Sequence, residues 1–305
     1  MFMKNNVTIT VDASTINKMR EYYKDNMHPN DGEYVDFEAR VNGIIITAFI
    51  TKKDRKKVYF LGDKALEEAQ KWDESAKLNE KLEQAKAEWI CLDDQIGSDE
   101  VGVGDFLGPM IVVATYVSKK DIKKLKELGI QDSKKMTDKQ ILEVGPIVVK
   151  KFSFSKLTLQ NAKYNELVDR GENINSMKAK MHNRALLNMY KEHPGVDNIF
   201  VDQFVQEETY YSYLNDENEE QVRNITFKTK GESYFPCVAL ASVIARYSYL
   251  LEMERLNSCY GVYFPFGAGK KVNEFARKFV KKFGEKELYK IAKKNFANYS
   301  EVISK

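Results

Sequence analysis

The sequence contains few cysteines, prolines and histidines, and each shortage excludes a class of protein. Its 305 residues include three cysteines, six prolines and three histidines. Cys91, Cys237 and Cys259 form no CxxC pair, which argues against a disulfide framework or a structural zinc site. The low proline content, with only 16 glycines, excludes collagen-like and low-complexity chains. We therefore expect an ordinary globular protein of a reducing, cytoplasmic compartment.

Long hydrophobic runs are also absent. The longest are GIIITAFI (residues 43–50), MIVVATYV (110–117) and VALASVIA (238–245). Each is far shorter than the ~18 apolar residues that indicate a membrane span. The N-terminal segment MFMKNNVTITVD lacks the apolar core of a secretory signal. We expect no association with a membrane.

The pattern of hydrophobic residues predicts two domains and a linker. Residues 1–70 contain alternating runs typical of strands, and Asn42-Gly43 between two of them is a strong hairpin signal. They predict a small α+β domain with an antiparallel sheet. Residues 71–88 are charged and contain no Gly or Pro, so we place a helical or flexible linker there. Residues 89–305 alternate strands and helices, which predicts an α/β domain built on a mixed sheet.

Positive charge is concentrated in two segments, although the net charge of the chain is only +3. Residues 270–305 contain 11 Lys or Arg against four Asp or Glu, and residues 52–57 read KKDRKK. Such clusters suit a polyanionic partner. The alternative, that these lysines only solvate a helix face or a loop, stays open for each cluster taken alone.

Several common catalytic patterns are missing. His28, His182 and His193 have no metal-ligand spacing, and we interpret them as structural. Neither GxSxG nor GxxxxGK[ST] occurs, which leaves serine-hydrolase and P-loop chemistry without support. The glycines of GVGDFLG (102–108) precede a strand-like run instead of a helix, which argues against dinucleotide binding.

Carboxylates at predicted strand ends are the remaining candidates. Asp99 and Glu100 end a predicted buried strand, Asp202 ends another, and Glu232 lies between a strand and a long helix. Neighbours in a regular strand point to opposite faces, so Asp99 and Glu100 serve one site only if the strand turns there. Converging carboxylates without histidine suit hard divalent cations, and two ions about 3.5–4 Å apart can support phosphodiester cleavage. The alternatives are solvated surface charge and, for Glu232, a helix-start charge.

Five segments in fixed order resemble one enzyme family. DEVGVGDFLGP, DSKKM, VDQF, KGES and ALASVIARY are similar to the motifs of the type 2 ribonucleases H, and more closely to ribonuclease HIII. The resemblance covers nearly the whole chain. It implies a ribonuclease H-like catalytic domain, with a mixed sheet flanked by helices and with basic C-terminal helices. It further implies that residues 1–70 are a TBP-like substrate-binding domain, which ribonuclease HII lacks.

The resemblance also assigns the site residues. It implies that the catalytic, metal-binding carboxylates are Asp99, Glu100, Asp202 and Glu232, which would hold two Mg²⁺ ions, with Mn²⁺ as a possible substitute. The family's substrate contacts fall on the backbone of Gly102, Val103 and Gly104, facing a ribose 2′-OH, and on Ser133 and Lys134, facing phosphate. Two positions differ from ribonuclease HII: Glu232 replaces its usual Asp, and Val103 replaces its common Arg.

The implied activity is endonucleolytic cleavage of the RNA strand of an RNA/DNA hybrid, which leaves a 3′-OH and a 5′-phosphate. The basic clusters would then grip the phosphates. Two alternatives stay open: ribonuclease HII-like excision of single ribonucleotides from duplex DNA, and a non-catalytic protein that binds hybrids. We expect a monomer with the hybrid as its partner and no protein partner.

Overall fold

The computed structural model describes residues 6–29, 35–49, 55–78, 89–215 and 220–304; of Arg55, Gln131, Asp132 and Lys134 it describes the backbone only. The chain divides into two compact units between residues 86 and 87. Each unit has its own hydrophobic core.

The N-terminal unit contains a five-stranded antiparallel sheet in the order β1-β5-β4-β3-β2. Its strands are β1 (Asn6–Asp12), β2 (Met27–His28), β3 (Val35–Val41), β4 (Ile44–Phe49) and β5 (Arg55–Leu61). The predicted hairpin turn joins β3 to β4, with positive φ at both Asn42 and Gly43, as a type I′ turn requires.

Two helices supply the other half of this unit's core. Helix α1 (Ala13–Tyr22) and helix α2 (Ala65–Gln70) contribute Ile16, Met19 and Ala69 to a cluster with the apolar residues of the strands. The alternation along β1, buried at Val7, Ile9 and Val11, shows that the sheet has one covered face and one open face.

The second unit contains a five-stranded mixed sheet in the order β10-β9-β6-β7-β8. Its strands are β6 (Gln95–Val101), β7 (Met110–Val117), β8 (Phe154–Leu159), β9 (Asn198–Asp202) and β10 (Ile225–Lys228). The pairs β6–β9 and β9–β10 are parallel, whereas β6–β7 and β7–β8 are antiparallel. The predicted mixed sheet and the antiparallel hairpin of its first two strands are therefore confirmed.

Long helices cover both faces of the mixed sheet. The helices are α3 (Ile122–Glu127), α4 (Asp138–Lys151), α5 (Asn161–Asp169), α6 (Ile174–Glu192), α7 (Glu207–Ser212), α8 (Pro236–Tyr260), α9 (Lys270–Phe283), α10 (Glu285–Ile291) and α11 (Ala297–Ile303). Helix α8 packs on one face, with alanines on its early turns, and α6 packs on the other. The sheet is consequently buried on both sides, as parallel strands require.

Two local expectations need correction or qualification, and helix α5 lies where no element was expected. The DSKKM segment was expected as a loop, but most of it lies within the 3₁₀-helix Ile130–Lys135. In such a helix each backbone carbonyl accepts a hydrogen bond from the N–H three residues later. Helix α5 was not predicted, since its apolar stripe is weak. In the expected linker, residues 71–78 form turns, and residues 79–88 lie outside the described part of the chain.

Within the described residues, no helix is both long and apolar enough to cross a membrane. All three cysteines are free, as their spacing indicates.

Candidate metal centre

Three of the four predicted carboxylates meet at one edge of the mixed sheet. Asp99, Asp202 and Glu232 each place one carboxylate oxygen within 4.8 Å of the others. Asp99 lies near the end of β6, Asp202 is the last residue of β9, and Glu232 lies in the 3₁₀-helix Gly231–Ser233 before α8. Two of the three side chains, those of Asp99 and Glu232, are almost fully buried.

The parallel pairing of β6 and β9 brings the two aspartates together. Their register pairs Gly97 with Phe200 and Ser98 with Val201, so Asp99 and Asp202 follow on adjacent strands and on the same face. Strands that run parallel end at the same edge, where ligand sites of α/β sheets gather.

Glu232 reaches this edge because its short helix is tied to β9. The Gly231 N–H donates a hydrogen bond of 2.8 Å to the Asp202 carboxylate. The Phe235 N–H bonds back to the Gly231 carbonyl, which leads the chain directly into α8. Asp202 thus orients the segment that carries the third carboxylate.

Glu100 points away from this group, toward helix α6. Its carboxylate accepts a hydrogen bond of 3.0 Å from His182 Nε2 and forms an ion pair with Lys178. The Ser98 hydroxyl, on the same face of β6, contacts the other ring nitrogen, His182 Nδ1, at 2.8 Å. The side chains of Asp99 and Glu100 therefore point to opposite faces of β6, as in a regular strand. The metal-binding role expected for Glu100 stays a prediction.

Burial and charge separate the two neighbouring carboxyl groups. Burial, reinforced by the negative charges of Glu100 and Asp202, raises the pKa of Asp99 well above its ordinary value. Burial alone would raise the pKa of Glu100 too, but the hydrogen bond and charge of His182, together with the charge of Lys178, lower it overall. Glu100 therefore has a cationic partner in Lys178, whereas no cation is among the groups that shift the pKa of Asp99.

The donor set of the three-carboxylate group fits a hard divalent cation. It offers oxygen ligands only, with no cysteine or histidine, and Mg²⁺ and Mn²⁺ favour such ligands. Burial first, and then the negative charges of Glu100 and Asp202, raise the pKa of Asp99, and a bound cation would offset this penalty on the ionised form.

The glycine turn GVGDFLG (102–108) follows β6, and its tip at Gly104 is exposed to solvent. Gly102 is buried with a φ of +82°, and a Cβ there would lie 2.2 Å from the Pro109 carbonyl oxygen, so only glycine fits. Val103 is half-buried, and Gly104 is exposed with nothing within 4 Å of a Cβ position. The backbone of the tip is therefore accessible to a ligand.

Lys293, in the basic C-terminal segment, forms hydrogen bonds with the backbone of this turn. Its side chain is fully buried, and Nζ donates to the carbonyls of Asp105 (2.8 Å) and Gly108 (2.6 Å). The Lys293 N–H also donates to the Phe106 carbonyl at 3.0 Å. One of the lysines that the charge pattern assigned to phosphate contacts thus has a structural position.

Replacing Lys293 with Met should destabilise the protein and change the pH dependence of its stability. Loss of the donor to the Asp105 carbonyl costs roughly 1–3 kcal/mol. Burial lowers the pKa of Lys293 to about 7, so the folded state binds fewer protons than the unfolded chain between pH 7 and the ordinary lysine value of 10.5. The stability that wild type has over K293M should therefore increase as the pH rises from 7 to 10.

Urea unfolding at several pH values measures this difference. The matched control is Lys294→Met, because Lys294 is the next residue but pairs with Asp169 at the surface. A stability difference between wild type and K293M that falls as the pH rises would contradict the assignment.

Ser133 and the backbone of Lys134 lie in the 3₁₀-helix Ile130–Lys135, which contacts α8 and the Gly231–Ser233 helix. Ser133 is half-buried. The side chain of Lys134 lies outside the described part of the structure. The phosphate contacts expected for both residues stay predictions.

The sequence reasoning missed the contacts of Lys178 and His182. We interpreted His182 as structural, and we did not single out Lys178. A signal was present, because the two are four residues apart within SMKAKMHNRALL, which places two polar side chains on one face of a helix. Nothing in the sequence showed that this face packs on β6.

The chain is similar to known proteins over nearly its full length. The family model described as Ribonuclease HII matches residues 96–299, and a domain of unknown function (DUF3378) matches residues 6–85. Ribonuclease HIII of Bacillus cereus (strain AH187) is 37% identical over 306 residues, which cover 97% of both chains. Ribonuclease HIII of Bacillus mycoides (strain KBAB4) is 38% identical with the same coverage.

Solved structures show the same relationship. The crystal structure of Bst-RNase HIII in complex with Mn²⁺ superposes with a TM-score of 0.68 at 32% identity, over 98% of each chain. The ribonuclease H2 of Pyrococcus horikoshii OT3, at 21% identity and a TM-score of 0.58, covers 69% of this chain and 97% of its own. That second likeness extends to the fold alone.

Proposed function

The chain belongs to the ribonuclease HIII family, and from this premise we propose that it is an endonuclease that hydrolyses the RNA strand of RNA/DNA hybrids. The observation that carries the proposal is the convergence of Asp99, Asp202 and Glu232 at the ends of two parallel strands and a short helix. The fold is that of the ribonuclease H-like family, with helices on both faces of the mixed sheet.

We propose that these carboxylates hold divalent ions, Mg²⁺ or Mn²⁺, and that two ions act in the reaction, with Glu100 as a further ligand. Such ions, when bound, make a water nucleophilic at neutral pH and neutralise the charge of the leaving oxygen. The buried Asp99 side chain and the Gly231 N–H bond to Asp202 keep the ligands in place before substrate arrives. The products would carry a 3′-OH and a 5′-phosphate.

We propose that the turn Gly102–Val103–Gly104 recognises the RNA strand. The 2′-OH is the group that distinguishes RNA from DNA at a given nucleotide. A backbone contact from an exposed glycine turn can reach it without reading the base, and the Lys293 hydrogen bonds to the Asp105 and Gly108 carbonyls fix the segment that follows the turn. Cleavage should therefore be independent of base sequence.

Two surfaces are proposed to bind the rest of the hybrid. The exposed lysines of α9, with Ser133 and Lys134, would contact phosphates. In the N-terminal unit, which we propose is a TBP-like substrate-binding domain, the open face of the sheet carries Thr8, Thr10 and Lys57 beside Tyr59. An extended face with hydroxyl, cationic and aromatic side chains suits a nucleic-acid backbone, and binding should weaken with salt.

Metal-dependent cleavage of a hybrid, measured beside a DNA duplex with one embedded ribonucleotide, tests the function. We expect cleavage of the hybrid in Mg²⁺ or Mn²⁺, little cleavage of the single-ribonucleotide duplex, and none of either in EDTA. Efficient cutting 5′ of the single ribonucleotide would favour ribonuclease HII-like activity instead. Tight hybrid binding without cleavage in either metal would support a non-catalytic binding protein.

We further propose that the enzyme is a cytoplasmic monomer, with the nucleic acid as its partner. The three free cysteines support a reducing compartment. Size-exclusion chromatography with light scattering tests the monomer, since a mass near 71 kDa instead of 35.3 kDa would show a dimer.

A further inference from the structure

The second half of the glycine turn, residues 105–108, lies between two parts of the C-terminal region. On one side, the Phe106 N–H donates to the Gly267 carbonyl at 2.9 Å, and the Gly267 N–H donates back to the Asp105 carboxylate. On the other side, the Gly108 N–H donates at 2.8 Å to the carbonyl of the last residue of α10. Backbone contacts therefore hold this half of the turn from both sides, and the Asp105 side chain adds a further bond.

The ring of Tyr249, on α8, packs against both ends of the same turn. Tyr249 is fully buried, and its hydroxyl donates to the Leu107 carbonyl at 3.1 Å and interacts with the Asp105 carboxylate. A Cβ at Gly102 would lie 2.9 Å from the ring, and a Cβ at Gly108 would lie 3.0 Å from the hydroxyl. Tyr249 and Asp105 thus form one connected support for the turn.

The first half of the turn, residues 102–104, is positioned by the residues on either side of it. Gly104 is exposed. The Asp105 N–H donates to the carbonyl of the first glycine of the turn at 3.4 Å, which closes the turn. Because Asp105 directly follows Gly104, the contacts of Asp105 with Gly267 and Tyr249 determine where this exposed backbone lies.

Gly267 also leads into the basic helix α9. Gly269 is the N-cap of α9, and Lys271, the second residue of the helix, is exposed. The Asn298 side chain donates to the Ala268 carbonyl at 2.8 Å, which fixes the connection between Gly267 and the helix. A lysine that is proposed to contact phosphate therefore lies four residues after the glycine that binds Asp105.

We propose that Asp105 and Tyr249 are positioning residues that determine the preference for RNA. They hold the first half of the turn at a fixed place relative to the start of α9. A strand whose phosphates are held by α9 then presents its 2′-OH to the backbone of the turn, because phosphate contacts set the register of a bound strand. A turn displaced by about 1 Å would lose the 2′-OH contact and leave the phosphate contacts in place.

This inference rests on the proposed recognition of RNA by the turn, and a comparison of two ligands separates the two ideas. One ligand is an RNA/DNA hybrid, and the other is the same hybrid with fluorine in place of every 2′-OH, which removes the hydrogen-bond donor. Their Kd values are measured by fluorescence anisotropy in EDTA, which prevents metal-dependent cleavage. Wild type should bind the RNA/DNA hybrid roughly 2–10-fold more tightly, the effect of about one hydrogen bond.

Asp105→Ala should bring the ratio of the two Kd values close to one. Asp105→Asn should retain most of the wild-type ratio, because its amide oxygen can still accept the Gly267 N–H. A variant that is merely less stable has a smaller folded fraction, which raises both apparent Kd values by the same factor and leaves their ratio unchanged. The ratio therefore separates positioning of the turn from a general loss of stability.

Two controls accompany this measurement. Asp94 accepts hydrogen bonds of 2.9 Å from a backbone N–H, that of Lys119, and from a tyrosine hydroxyl, that of Tyr116, just before the start of β6. Asp94→Ala removes a comparable carboxylate and should leave the wild-type ratio intact. Lys271→Ala removes a proposed phosphate contact and should raise both Kd values together, again without changing their ratio.

The outcomes differ for the two ideas. If wild type binds the two hybrids equally, the proposed recognition of the 2′-OH fails, and this inference fails with it. If wild type prefers RNA and a folded D105A protein keeps the full preference, recognition of RNA stands and the role of Asp105 is refuted. If D105A does not fold, Tyr249→Phe removes the hydroxyl that bonds the Leu107 carbonyl and should lower the ratio, and an unchanged ratio in Y249F would overturn the proposal.

Discussion

Asp99→Asn should abolish metal-dependent cleavage of an RNA/DNA hybrid while hybrid binding survives. Asp99 is one of the two buried members of the three-carboxylate group, and an amide is a neutral, weaker ligand for a hard cation. We expect kcat to fall by more than the roughly 10–100-fold that loss of an outer-shell partner costs. Steady-state cleavage at saturating Mg²⁺ and hybrid gives kcat, and fluorescence anisotropy gives the Kd for the hybrid.

The same substitution should stabilise the metal-free protein. Because the pKa of Asp99 is raised by folding, the folded state binds a proton more tightly than the unfolded chain. Above the ordinary value of 3.8, the ionised side chain therefore costs folding free energy, and this cost grows until the pH reaches the raised pKa. Asn carries no charge, so D99N should melt at a higher temperature than wild type in EDTA at pH 7.

Asp93→Asn is the matched control for both measurements. Asp93 is an exposed carboxylate just before the start of β6, at the end of the strand away from Asp99, and it pairs with Lys119. D93N should cleave and melt like wild type. Normal turnover by D99N would refute the assignment of the metal centre, and a lower melting temperature of D99N in EDTA would refute the electrostatic argument.

Deletion of residues 1–85 should weaken hybrid binding far more than it slows the bound reaction. The N-terminal unit has its own core, and the carboxylates proposed to be catalytic all belong to the second unit. Loss of one of two linked binding surfaces typically lowers affinity by on the order of 10²-fold or more. The Kd should rise accordingly, while kcat at saturating hybrid changes little.

Substitutions in the full-length protein test the same idea without removing a domain. The double variant Lys57→Ala/Tyr59→Ala alters the open face of the N-terminal sheet and should raise the Kd. Loss of the Lys57 charge should also reduce the salt dependence of binding by about one unit of slope. Lys18→Ala is the control, because Lys18 is exposed on α1, which packs on the other face. An unchanged Kd in the deletion would show that this unit does not bind substrate.

Much of the fold could be predicted because local patterns agree with it. The Asn42-Gly43 hairpin, the capping box of Thr137 and Gln140 at the start of α4, and the alternation along β1 all follow from nearest-neighbour chemistry. Helix α5 was missed, because its apolar stripe is weak and its contacts include distant partners: Asn165, for example, donates to the carbonyls of Tyr289 and Ala292. Such long-range contacts leave no local pattern.

The candidate site was likewise predicted only in part, where a local sequence pattern indicated it. The carboxylates were found from their positions at strand ends and from the order of their motifs. Carboxylates were expected to converge at the ends of strands, and the structure confirms that the oxygens of Asp99 and Asp202 come close. The orientation of Glu100 was left open. A regular strand would place Glu100 on the face opposite Asp99, whereas a strand that turns there would let both carboxylates serve one site.

The sequence by itself determined which residue types are available: four acidic side chains at the ends of elements, a glycine turn and two basic clusters. Those features depend on neighbours in the chain, and they were enough to indicate the family. Only the tertiary structure decided which carboxylates share a face and which cation each one meets. Helix α6 packs on β6 so that Lys178 and His182 reach Glu100, and the C-terminal segment packs under the glycine turn so that Lys293 is buried there. The physical reason is that burial and charge pairing are set by elements that lie far apart in sequence, and these two quantities control how a carboxylate or a lysine behaves.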